Sequence, residues 1–103
     1  MHKSDGEYQD YIDRLYKEFP TLLTWPHSIT GERLRAGFCV PASWLPHIKH
    51  LLENIRMLDN MHSIEPPIFR DFKEKRGYLS VHYDGGCQLA ERLVDILETN
   101  IDR

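Results

Sequence analysis

A chain of 103 residues with a formal net charge of −3 has room for one modest core, so a single domain over residues 1–103 is expected. Apolar residues make up 41% and charged residues 28%, a balance that excludes a disordered chain. The charge is uneven: residues 1–27 carry three basic and five acidic side chains, residues 28–83 eight and six, and residues 84–103 two and five. A mildly basic middle between acidic ends is too weak for a non-specific nucleic-acid binder, which needs a strong basic stripe.

No apolar run approaches the roughly 18 residues that cross a bilayer. Met1-His2-Lys3-Ser4-Asp5 is polar where a secretory signal needs an apolar stretch. The expected location is therefore the cytoplasm. Cys39 and Cys87 are too far apart in sequence for a paired motif, and in a reducing compartment they read as small apolar fillers.

Ser4 followed by Glu7 has the form of a capping box. Tyr8, Tyr11, Ile12, Leu15 and Phe19 then recur at helical spacing, which predicts an amphipathic helix over 5–19 stopped by Pro20. Residues 20–32 have no clear period and read as an ordered loop with Trp25 tucked into the core, with room for a short strand at its end. Residues 33–40 alternate, with Leu34, Ala36, Phe38 and Val40 on one side and Arg33 and Arg35 on the other, as a half-buried strand does. Ser43 is the expected N-cap of a second helix, with Pro46 in its first turn. Trp44, Leu45, Ile48, Leu51, Leu52, Ile55, Leu58 and Met61 trace its apolar face to about residue 62.

After Pro66-Pro67 the alternation of residues 68–75 is imperfect, whereas Leu79, Val81 and Tyr83 share one face of a clear strand. Glu74-Lys75-Arg76-Gly77 reads as the hairpin turn between them, with Gly77 free to take a positive φ. Asp84-Gly85-Gly86 ends the strand, and Leu89, Leu93, Ile96, Leu97 and Ile101 supply the stripe of a last helix. The expected architecture is α+β: a small antiparallel sheet of about three strands on three helices, in the order α-β-α-β-β-α.

Phe19-Pro20, Cys39, Trp44, and Phe72-Lys73-Glu74-Lys75 with Gly77 and Leu79 stand at matching places in a group of small proteins encoded by phages and prophages. The chain resembles that group over residues 15 to 95, with the hairpin block as its specific part. Arg76, Tyr78, Ser80, Val81 and His82 depart from the group's pattern. The group often continues into a cysteine-bearing tail; the present sequence stops at Arg103, so no metal site carries over. The resemblance implies a phage or mobile-element origin and supplies no activity, since none is assigned to the group in general.

Neither a cofactor nor a metal site is expected. His47 and His50 are three apart on a helix, yet zinc needs two further ligands, such as His62, His82 or Cys39, and two surface histidines are the ordinary reading. A Cys39–His82 pair oriented by Asp84 is conceivable, although a cysteine between Phe38 and Val40 reads more simply as packing. The hairpin offers Arg70, Lys73, Lys75, Arg76 and Tyr78, and the last helix offers Glu91, Asp95 and Glu98, as partner-binding surfaces.

These readings converge on a non-catalytic interaction protein that binds and inhibits a host protein or defence complex, most concretely as an anti-CRISPR-like inhibitor. The alternatives are a nucleic-acid-binding accessory protein using the hairpin, and a small metal- or Cys/His-dependent enzyme. Tyrosines of the first helix, where unburied, would suit a homodimer interface.

Overall fold

The three- and four-residue spacing of apolar side chains commits one face of each long helix to a shared core. The computed structural model describes residues 3–63 and 65–101, with side chains from Gly6 onward. Helix α1 (Lys3–Glu18) buries Ile12 and Leu15. It already includes Ser4, so the helix begins before the expected cap, and the Ser4 side chain itself lies outside the described residues. Pro20 ends α1 as predicted: Phe19 leaves the helical region at φ −127°, and Pro20 opens the single turn α2 (Pro20–Leu23).

The segment expected as a loop with a core Trp25 is more regular than that. Strand β1 (Thr24–Pro26) pairs antiparallel with β2 (Arg33–Arg35), setting Trp25 opposite Leu34, and Trp25 is only half-buried. The amide of His27 donates to Glu32 O at 2.7 Å to close the intervening loop.

The expected single strand over 33–40 divides at Ala36. Its amide donates to Leu23 O at 2.8 Å and its carbonyl accepts from the Tyr16 hydroxyl, so the ladder breaks there. Strand β3 (Gly37–Cys39) then joins a second sheet of order β3-β4-β5. Burial still alternates through the break, with Ala36 and Val40 buried and Leu34 and Phe38 half-buried.

A 3₁₀ turn (Ala42–Trp44), not a Ser43 side-chain cap, leads into α3 (Leu45–His62), whose first turn contains Pro46 as expected. Because α3 lies in the connection from β3 to β4 (Pro67–Lys75), those strands run parallel, which only a long crossover permits. The sheet is therefore mixed, with the antiparallel expectation holding for β4 and β5 (Tyr78–Gly85). A bulge at Arg70, between the Phe69–Tyr83 and Asp71–His82 pairs, explains the imperfect alternation. One extra residue lets Phe69 and Phe72, three apart, both face the core.

The hairpin turn is two residues long, with Arg76 at φ 53° and Gly77 at φ 83°. That is the conformation in which Asn-Gly is favoured, and a side chain such as arginine carries about 1 kcal/mol of strain there. Arg76→Asn is expected to stabilise the domain by about 0.5–1 kcal/mol, read as a higher urea midpoint at unchanged slope. A lower midpoint would mean that native contacts of the Arg76 side chain outweigh its strain.

Helix α4 (Gln88–Asn100) buries Ala90 and Val94, with Ile101 just beyond it and Leu97 half-buried. This rotates the expected stripe. The small Ala90 and Val94 allow close approach to the core, and Leu89 and Ile96 are left 51% and 54% exposed. One continuous apolar cluster joins all four helices to the inner face of the three-stranded sheet, and among the described residues it contains no buried polar or charged side chain. No helix among the described residues is long and apolar enough to cross a membrane.

Candidate interaction face

Phe69, Phe72 and Leu79 turn inward, so period-two alternation places Asp71, Lys73 and Lys75 of β4 on the opposite, open face with Tyr78, Ser80 and His82 of β5. The registers order these side chains into rows. Gly37, Asp71 and His82 lie across one row, Cys39, Lys73 and Ser80 across the next, and Lys75 and Tyr78 side by side nearest the turn. Gly37 brings the backbone of β3 close to the Asp71 side chain: a Cβ there would stand 2.9 Å from Asp71 Oδ1, which would have to turn aside.

The predicted hairpin residues divide by what already holds them. Arg70 lies over the Trp25 ring at 4.6 Å, and its Nε approaches Asp84 Oδ2 at 2.7 Å, off the N–H axis, as an ionic contact. It joins the β1–β2 ribbon to β4. Lys73 Nζ is 3.6 Å from Asp71 Oδ2, a half-exposed pair worth little. Lys75 and Arg76 are exposed and make no ion pair among the described residues. Tyr78 is 53% exposed beside Lys75. Glu74, on the inner side, accepts a hydrogen bond from the Gly77 amide at 2.9 Å and braces the turn.

The acidic helix residues form a separate group. Glu98 accepts a hydrogen bond from the Val81 amide at 2.9 Å, and that amide points away from β4 at the open edge of the sheet. Burial, and after it the carboxylates of Glu91, Asp95 and Glu98, raise the pKa of the Tyr83 phenol. These three acids therefore gather around the inner side and edge of β5, while Lys73, Lys75 and Tyr78 occupy the other face. The fold does not merge the two candidate surfaces into one.

Two tyrosines close the opposite edge. Tyr8 Oη donates to Val40 O at 2.7 Å and accepts from Val40 N at 3.2 Å, while Tyr16 Oη donates to Ala36 O. They satisfy the backbone just beyond each end of β3, the short edge strand. Burial raises the pKa of the Tyr16 phenol, opposed by the Arg35 guanidinium 4.9 Å from its ring. The hydroxyls of Tyr8 and Tyr16 are thus committed to the fold, and Tyr8, Tyr11 and Tyr16 are all half-buried. The sequence carries no local signal for these bonds, since the partners lie 20 and 32 residues away.

The Cys/His grouping is not assembled. Cys39 and His82 sit on β3 and β5 with β4 between them and two residues out of register, about 12 Å apart by strand geometry, and Asp84 is engaged by Arg70. Both cysteines are free thiols. His47 and His50 line a groove of about 360 Å³ between α3 and α4. Among the described residues no three His, Cys, Asp or Glu side chains come together as a metal site. Compared with family models, curated proteins and solved structures, the chain has no match.

Proposed function

We propose that the chain is a small, non-catalytic, phage-type interaction protein that binds a host protein or defence complex and inhibits it, with anti-CRISPR-like inhibition as the most concrete version. The observation that supports this reading is the open sheet face: Lys75 and Tyr78 stand beside Arg76 at its turn end. Arg and Tyr are favoured anchors at protein interfaces. In this reading Lys73, Lys75, Arg76 and Tyr78 make the contact, Arg70 holds the strand in place, and Glu91 and Asp95 form a second, separate polar surface.

The test is a tagged pull-down from host extract with and without nuclease, read by mass spectrometry. A defined complex that survives nuclease supports the reading and names the partner. Reversing charge in Lys75→Glu/Arg76→Glu is then expected to weaken that complex by tenfold or more with an unchanged circular dichroism spectrum. Unchanged affinity would remove the hairpin from the interface.

A nucleic-acid-binding role rests on the same two cations, Lys75 and Arg76, beside Tyr78. It ranks second on magnitude. Three phosphate contacts from Lys73, Lys75 and Arg76 give a salt slope of only about −2.7, against the six to ten contacts of strong binders. Recovery of proteins only while nucleic acid is intact would reverse that order.

A further inference from the structure

The loop between β1 and β2, residues 27–32, is braced from inside by one imidazole. His27 Nδ1 accepts from the Ile29 amide at 3.1 Å and from the Thr30 amide at 3.2 Å. The ring thus takes the part that an Asn or Asp side chain plays in an Asx turn. The main chain closes around it: the Gly31 amide donates to His27 O at 3.0 Å, and the Glu32 amide to Thr30 Oγ1 at 3.3 Å. At the tip stands Ile29, 87% exposed, more than any other large apolar side chain among the described residues.

Both amides aim at a single lone pair, which Nδ1 offers only in a neutral ring whose proton sits on Nε2. Protonation places a hydrogen on Nδ1, where both amide hydrogens already point, and turns the acceptor into a donor. We propose that this loop is a proton-sensitive switch: neutral His27 fixes Ile29 at the tip, and protonated His27 releases it. Histidine changes charge between about pH 5 and 8, so modest acidification is enough to work the switch. Neighbouring charges do not compensate for the lost bonds. His27 makes no ion pair among the described residues, with Glu32 or any other carboxylate. On β2, Arg33 is bonded to Thr24 Oγ1 at 2.6 Å and Arg35 lies over the Tyr16 ring. On β4, Arg70 is engaged by Trp25 and Asp84, and α2 carries no charged side chain. The amide of His27 donates to Glu32 O at 2.7 Å whatever the state of the ring. The ribbon therefore stays closed, and the release is confined to the tip.

Backbone nitrogen relaxation of the full chain at about pH 7.5 and about pH 5 tests this, with imidazole nitrogen shifts read on the same samples. The Ile29 and Thr30 amides are expected near the rigid order parameter of about 0.85 at the higher pH. As His27 protonates they should fall below about 0.6, while the amides of α3 stay unchanged. His27→Asn supplies an oxygen that accepts at either pH, so its loop should stay ordered in acid. His27→Ala should be loose at both. A wild-type loop equally ordered at both pH values overturns the inference, as does order lost throughout α3. So does a His27→Asn loop that loosens in acid, or a His27→Ala loop as rigid as wild type at the higher pH.

Discussion

Replacing Phe72 by alanine is expected to remove about 3–5 kcal/mol of stability, the largest single-residue loss anticipated in the sheet core. Phe72 is fully buried on the central strand β4, opposite Phe38 on β3 and Val81 on β5. Its ring stacks on Phe38 at 4.9 Å and lies 5.4 Å from Phe69, so truncation opens a cavity and also breaks two aromatic pairs. The neighbours cannot collapse into the space, because β4 is held by strands on both sides. Total stability for a chain of this length is about 5–15 kcal/mol, so the loss is a large fraction of it. The melting temperature should fall by about 15–25 °C. Phe38→Ala, on the half-buried edge ring, should cost clearly less. A Phe72→Ala loss under about 1 kcal/mol would show that the stack is not the centre of the core.

The second large effect belongs to the tyrosines of α1. Tyr8→Phe/Tyr16→Phe leaves the rings in place but strips partners from Val40 N, Val40 O and Ala36 O. Removing the partner of a buried backbone group costs about 1–3 kcal/mol, so the double variant should lose about 2–4 kcal/mol, allowing for the partial exposure of these sites. Urea unfolding measures the loss, and hydrogen exchange should locate it at β3. Tyr16 also adds a pH signature. Its folded pKa is raised, so the stability it contributes is fully present below the unfolded value of about 10 and is lost as pH rises through the higher folded value. The difference between wild type and Tyr16→Phe should therefore be constant below pH 10 and shrink above it. A difference that stays constant into that alkaline range would mean the phenol is not the group that holds Ala36.

Much of the architecture was legible along the chain. Helix α1 and its stop at Pro20, helix α3, and the hairpin with a positive φ at Gly77 follow from spacing and from the steric limits of proline and glycine, which act within a few residues. Helix α4 was legible as an element but not in its orientation. Leu89 and Ile96 are as apolar as the residues that pack, and only the neighbouring surfaces decide that small Ala90 and Val94 make the close approach. The break at Ala36 was hidden for the same kind of reason. Residues 33–40 alternate cleanly, and what divides them is a hydrogen bond from each of two distant elements.

The candidate site divides along the same line. The sequence by itself determined that the hairpin carries Arg70, Lys73, Lys75, Arg76 and Tyr78, because covalent order and a two-residue turn keep them together. Only the tertiary structure decided which of them are available: Arg70 is taken up by Trp25 and Asp84, while Lys75 and Arg76 remain without an ion pair among the described residues. It likewise drew Glu98 to an edge amide and the phenols of Tyr8 and Tyr16 to the ends of β3. The physical reason is range. Backbone sterics and apolar periodicity are encoded over one or two turns of chain, whereas a polar group's partner is whatever the packed elements bring within 3 Å.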